Sequence, residues 1–220
     1  MHEELHQFVW NDVWELVPRP NGINVIGTKW ISKNKSYKHG TVIRNKSRPV
    51  AQGYTQVEEI DFGETFALVA RLESIRILLA IASHLNFKLN KMNVKSAFLN
   101  EMLQEEVYVE QPKGFIDPHR LDDVYKLKRA LYGLKQAPRA WYDRLAAYLI
   151  EHRFKRRFAD TTLFIRKDKN YFVVAQIYVD DIVFGATNDS LAQSFADEMK
   201  AMFEMSMVGK LTYFLGLQVK

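Results

Sequence analysis

The 220 residues are 47% hydrophobic and 26% charged, a balance that supports a packed core and excludes a disordered chain. There is no cysteine, which excludes disulfide frameworks and thiolate metal centres, and no apolar run approaches the roughly 18–20 residues of a transmembrane helix. The net charge of +5 is unevenly spread: no acid falls between Leu16 and Val57, a span that holds Arg19, Lys29, Lys33, Lys35, Lys38, Arg44, Lys46 and Arg48.

A second basic stretch runs from Lys126 to Arg157, and the acidic "NEMLQEEVYVEQPKGFIDPHRLDD" separates the two. Basic blocks on a folded chain point to a polyanion, nucleic acid or nucleotide, although a solvated basic face reads the same way. The N-terminal "MHEELHQFVWNDVW" lacks the basic-then-apolar order of a signal peptide, so a soluble intracellular protein with no membrane partner is expected.

In chain order, "INVIGTKWISKNKSYKHGTVIRNKSRPVAQG" predicts two strands around a Lys38–Gly40 turn, a basic hairpin arm. "RLESIRILLAIASHL" spaces Leu72, Ile75, Leu78, Leu79 and Ala82 as a buried helix face. "FKLNKMNV" alternates as a strand, "KSAFLNEML" is a short helix or turn, and "EEVYVEQPKGF" and "DVYKLKRALYG" each carry a short strand. "LKQAPRAWYDRLAAYLIEHRF" predicts a helix with Pro138 in its first turn and a stripe of Trp141, Leu145, Tyr148 and Leu149.

"TTLFIRKDKNYFVVAQIYVDDIVFGA" predicts three strands with turns at Asp168–Asn170 and Val179–Asp181. "TNDSLAQSFADEMKAMF" predicts a helix capped by Asn188, Asp189 or Ser190, with a core face of Leu191, Phe195, Met199 and Met202. "GKLTYFLGLQVK" reads as a last strand pair. Helices mixed with hairpins predict an α+β fold, an antiparallel sheet with helices on one face.

Within "VVAQIYVDDIVFG" the adjacent Asp180 and Asp181 interrupt a strongly apolar run. Buried carboxylates are costly without a cation or hydrogen bonds, and neighbouring ones raise each other's pKa. An exposed Asp-Asp turn needs no partner. The functional alternative is a divalent cation site, since Mg2+ binds through one or two carboxylates plus substrate phosphates. Phosphoryl transfer by two metals wants a further carboxylate on a neighbouring strand and basic side chains for a triphosphate.

"YVDD", together with "KMNVKSAFLN", "EEVYVEQPKGF", "YKLKRALYGLKQAPRAWY" and "YFLG", resembles the reverse transcriptase domain of Ty1/copia-type retrotransposons over residues 14–219. The resemblance implies a right-hand polymerase with a basic fingers hairpin at about residues 25–56, interleaved with a palm at about residues 71–219. It implies RNA-directed DNA polymerase activity on an RNA or DNA template-primer with dNTPs, and Mg2+ or Mn2+ as cofactor. Asp180 and Asp181 would hold the metal, with the Val94 carbonyl as an additional ligand. Lys46, Arg48, Phe98, Gln136 and Tyr178 would lie at substrate-binding positions, with the two basic residues on the triphosphate and Phe98 against the ribose. Lys46 and Arg48 have the alternative reading of surface charges, and Phe98 reads equally as a core residue. No thumb, RNase H, integrase or protease segment follows the last hairpin, so a fragment of a Pol polyprotein is expected, in a cytoplasmic particle by analogy with the family.

The chain departs from the family pattern where the first catalytic aspartate is expected, at Asn93. An amide offers one neutral oxygen in place of a carboxylate, and a rate loss on the order of 10²–10³ or more follows by analogy with losing a main electrostatic contact. Pro49, Leu68 and Glu101 also depart, Pro49 by removing a strand N–H. The competing reading is a non-catalytic remnant with residual nucleic-acid binding. A sheet-based RNA-binding module is weaker, because Asn93, Asp180 and Asp181 stand where it would need exposed aromatics.

Overall fold

The structure, a computed structural model, describes residues 1–36 and 41–219; the expected Lys38–Gly40 turn lies outside the described residues. In chain order the elements are α1 (His2–Trp10), β1 (Trp14–Val17), β2 (Val25–Ile26), β3 (Thr28–Ser36), β4 (Val42–Ala51), α2 (Leu72–His84), β5 (Leu89–Val94), β6 (Tyr108–Val109) and β7 (Val124–Leu127). Then follow α3 (Ala137–Glu151), β8 (Lys155–Arg156), β9 (Leu163–Asp168), β10 (Tyr171–Tyr178), β11 (Asp181–Ala186), α4 (Asp189–Met202), β12 (Met205–Lys210), β13 (Tyr213–Phe214) and β14 (Leu217–Gln218). The chain divides into two compact units, one of residues 1–66 and 98–141, the other of residues 67–97 and 142–220.

The first unit holds a four-stranded sheet of order β1-β7-β6-β2 and a separate two-stranded sheet, β3-β4. Phe8 from α1, Val13, Ile26, Ala51, Leu99, Val107, Leu127, Leu131 and Leu134 form its core. Helix α1 and the parallel β2–β6 pair were not legible in the sequence. Pro49 is tolerated because β3-β4 is a two-stranded ribbon, with no third strand along either edge among the described residues. The Ala51 N–H points away from β3 to the Tyr132 carbonyl, and alternation puts the Pro49 nitrogen on the same outward side, where no ladder bond is lost.

Gly133 has φ +94, and an added Cβ would collide with the Ala51 carbonyl oxygen and Val50 Cγ1. Only glycine lets the "LYGLKQAP" loop lie backbone-to-backbone on the end of β4.

The second unit is built on a six-stranded antiparallel sheet of order β12-β5-β11-β10-β9-β8, with the hairpin β13-β14. Ile75, Leu78 and Ala82 of α2 pack with Val174 and Val183 on one face of this sheet. Phe184 points the opposite way to its neighbour Val183 and meets Phe195 of α4, with ring centroids 5.1 Å apart. The expectation of helices on one face is therefore corrected: helices cover both faces of the central strands. The physical reason lies in β10, where Val173 to Ile177 are all buried, as required of a strand covered on both sides.

Two other expectations change. The α4 face runs through Ala192, Phe195, Ala196 and Met199, leaving Met202 49% exposed. Helix α2 is half-buried, since Ile77 and Ile81 face outward. The cap on α4 is Asn188, whose side chain accepts from the Ser190 N–H.

A polar cluster sits inside this second unit. Asp160, 8% exposed, accepts from the Thr162 hydroxyl and N–H and from Gln176 on β10. Burial pushes the Asp160 pKa up, but hydrogen bonds from Ser74, Thr162 and Gln176 outweigh it and hold the carboxyl below its ordinary value. A depressed folded-state pKa gives stability that is present above the unfolded value of about 4 and is lost as pH falls through the folded one. Asp160→Asn should cost about 1–3 kcal/mol at neutral pH and flatten the acid limb of the stability curve below about pH 4, which thermal melts from neutral to acid pH would register. Gly133→Ala should cost about 2–5 kcal/mol through strain and overlap, seen as a lowered urea midpoint.

Candidate active site

Strands β10 and β11 join through a two-residue turn, Val179 and Asp180, with Tyr178 opposite Asp181. Val179 has φ +54, a left-handed conformation that a β-branched residue rarely adopts. A positive φ at the first central position alone matches the II′ hairpin class, which ordinarily places glycine there. Such strain, about 1–3 kcal/mol, persists only where surrounding structure over-determines it, and it concentrates at functional sites.

The surroundings supply that determination. Val94 at the end of β5 donates its N–H to the Asp180 main-chain oxygen at 2.8 Å, and Asn93 Nδ2 approaches the same oxygen at 3.3 Å. In register, Asp181 faces Asn93. Asn93 Nδ2 donates to Asp181 Oδ1 at 3.0 Å, and Lys91 Nζ reaches Asp181 Oδ2 at 2.6 Å. Both neighbours of the Asn93 amide are acceptors, so the nitrogen, not the oxygen, faces the aspartates. The Asp180 carboxylate has no hydrogen bond or ion pair among the described residues. Tyr178 sets its ring edge against Phe214 of β13, 5.7 Å between centroids.

The donor set does not fit a pair of divalent cations. Such ions need carboxylate and carbonyl oxygens with open lone pairs. Here a protein donor covers each oxygen of Asp181, and Asn93 turns its nitrogen inward. Among the described residues, no three His, Asp or Glu side chains converge as a metal-binding group.

Lys46, Arg48, Phe98 and Gln136 lie in the other unit. The Arg48 guanidinium stacks over the Tyr132 ring, 4.3 Å from its centroid, and its Nε is 3.6 Å from Glu4 Oε1 on α1. Phe98 meets the same tyrosine at 5.0 Å. Arg48 and Phe98, singled out separately, are thus joined through a residue the sequence reading did not name. The signal was present in "LYGLKQAP", whose glycine brings the adjacent Tyr132 against β4. Lys46 faces Lys33 across the ribbon.

Gln136 is 4% exposed and its side chain is engaged at both ends, donating to the Asp61 carbonyl and accepting from Gln56. It ties down the Gln56–Asp61 segment. The other residue missed was Lys91, two positions before Asn93 and on the same strand face; a cationic side chain at that spacing in the strand "FKLNKMNV" was the available signal.

The chain matches the family described as reverse transcriptase (RNA-dependent DNA polymerase) over residues 11–220. It is 38% identical over 221 residues to the retrovirus-related Pol polyprotein from transposon RE1 of Arabidopsis thaliana, covering 100% of this chain and 15% of that protein. It is 32% identical over 220 residues to the corresponding polyprotein from transposon TNT 1-94 of Nicotiana tabacum, again 100% of this chain and 17% of the relative. Similarity extends at 25% identity over 237 residues to the Transposon Ty1-GR1 Gag-Pol polyprotein of Saccharomyces cerevisiae, all of this chain and 12% of that one. With a family match over almost its whole length and relatives of this kind, the chain belongs to the reverse transcriptase family, in the branch found in Pol polyproteins of copia-type transposons.

Proposed function

We propose that this chain is the fingers and palm of an RNA-directed DNA polymerase domain in which grips for template-primer and dNTP persist while the metal centre is impaired. The basic β3-β4 ribbon, within residues 25–56, is the fingers hairpin; the sheet carrying Asp180 and Asp181 is the heart of the palm. One observation carries the impairment: Asn93, in register with Asp181, presents an amide nitrogen where two-metal transfer needs a carboxylate.

Arg48 holds the triphosphate. Its planar fork suits phosphate oxygens, and stacking on Tyr132 pre-orients it. Glu4 is the counter-ion it gives up on binding. Lys46 adds positive charge along the ribbon. Phe98, backed by Tyr132, borders the sugar, and Gln136 supports the nascent base pair indirectly by fixing the Gln56–Asp61 segment. Tyr178 flanks the hairpin, where Asp180 and the Val94 carbonyl are the remaining candidate Mg2+ or Mn2+ ligands. The template-primer, dNTPs and the rest of a Pol polyprotein, including thumb, RNase H, integrase and protease, are the partners this reading supplies. Among the described residues no helix is long and apolar enough to cross a membrane.

Primer extension with Mg2+ should run on the order of 10²–10³ slower for this chain than for Asn93→Asp; equal rates would refute the impairment. Retention on primer–template should be strong at low salt and fall steeply as salt rises, and an absence of retention at low salt would sink the binding reading. Arg48→Ala should weaken dNTP binding about ten- to hundredfold in calorimetry, the range for charge-assisted hydrogen bonds.

A further inference from the structure

Lys91 has no role in the polymerase reading, yet it makes the shortest contact at the hairpin. Its ammonium lies 2.6 Å from Asp181 Oδ2, and the two side chains are only 22% and 19% exposed. The contact is not a loose surface pair. Lys91 and Asp181 sit on hydrogen-bonded neighbouring strands, with Lys91 opposite Val183 and Asn93 opposite Asp181, so the sheet register holds both partners. The ammonium also lies 5.3 Å from the Phe214 ring centroid, which borders it on the β13-β14 side.

The Asn93 amide nitrogen fills the other oxygen of Asp181 at 3.0 Å. Together the two donors do what a metal ion does for a carboxylate: one supplies positive charge and the other a hydrogen bond. A divalent ion bound about 2 Å from the same carboxylate would stand within a few ångströms of the ammonium, with like charges opposed in a partly dry site.

We propose that Lys91 is a built-in counter-cation that, with Asn93, positions and neutralises Asp181 in place of a divalent ion. The hairpin then keeps its geometry without metal and binds metal poorly. The inference rests on the polymerase-domain reading for what the lysine replaces, and it explains why Lys91 and Asn93 stand together on one strand face. Asn93 removes a carboxylate from the site, and Lys91 stabilises the carboxylate that remains beside it.

The test uses the full chain, with Mn2+ as the calorimetric probe and Mg2+ in thermal melts. The wild-type chain should show no resolvable Mn2+ binding and no Mg2+-dependent shift in Tm. Lys91→Arg, which keeps the charge, should behave likewise. Lys91→Gln/Asn93→Asp should bind Mn2+ at least about tenfold more tightly than Asn93→Asp alone, and its Tm should rise with Mg2+. Lys91→Met should melt lower than wild type and recover part of the loss on adding Mg2+. Wild-type Mn2+ binding as tight as that of the double variant would overturn the proposal. So would a Lys91→Met chain as stable as wild type, or equal Mn2+ affinities for Asn93→Asp with and without Lys91. That last comparison decides the matter if Lys91→Met does not fold. Primer–template retention of the same samples reports separately: its loss in all of them, wild type included, defeats the polymerase reading and leaves the metal measurements to judge Lys91.

Discussion

Asp181 meets only what the β5–β11 register brings to it. A largely buried carboxylate on the sheet face that Asp181 shares with Tyr178 and Val183 has to find donors or a cation, and the antiparallel pairing places Asn93 directly opposite and Lys91 on the same face two residues away. A slip of one residue would turn the whole set to the other side of the sheet. Burial of β10 and β11 on both faces, by α2 through Val174 and Val183 and by α4 through Phe184, makes such a slip prohibitive. The strained Val179 turn is held by the same pairing, because the Asp180 carbonyl is pinned by the Val94 N–H.

In the other unit a backbone constraint has the equivalent role. Gly133 lets the Tyr132–Gly133 peptide lie on the end of β4, and the Ala51 N–H bonds to the Tyr132 carbonyl. That contact sets the Tyr132 ring under Arg48 and beside Phe98. Three residues far apart in the chain become one cation–aromatic cluster, and a substituent the size of a methyl group at residue 133 would displace it. Gln136, a few residues on, is spent on Gln56 and Asp61, so the same loop fixes its own surroundings.

Much of the fold was legible where local chemistry and burial agree. The β9–β10–β11 hairpins follow from apolar strands broken at Asp168–Asn170 and Val179–Asp181, and the Asn188 cap from its position before an amphipathic run. Legibility failed where a partner distant in sequence supplies the energy. Helix α1 has modest intrinsic signal and is held by Phe8 in the core. The strand in "EEVYVEQPKGF" was expected, but its parallel pairing with the two-residue β2 depends on a register that no local pattern shows. Coverage of the sheet on both faces had a signal in the nearly unbroken apolar run of β10, which the reading of hairpins as a one-sided antiparallel sheet overrode.

The motifs alone carried the family and the hairpin that presents Asp180 and Asp181, and marked Asn93 as the position where the resemblance leads one to expect a further carboxylate, because each depends on residue type at a position within a contiguous block. Residue type could not say which atom of Asn93 faces the pair, nor that Lys91 stands against Asp181, nor that Tyr132 links Arg48 to Phe98. Those facts depend on cross-strand register and on backbone packing between segments tens of residues apart. A hydrogen bond or ion pair exists only when both partners are brought within about 3 Å, and spacing along the chain does not set that distance.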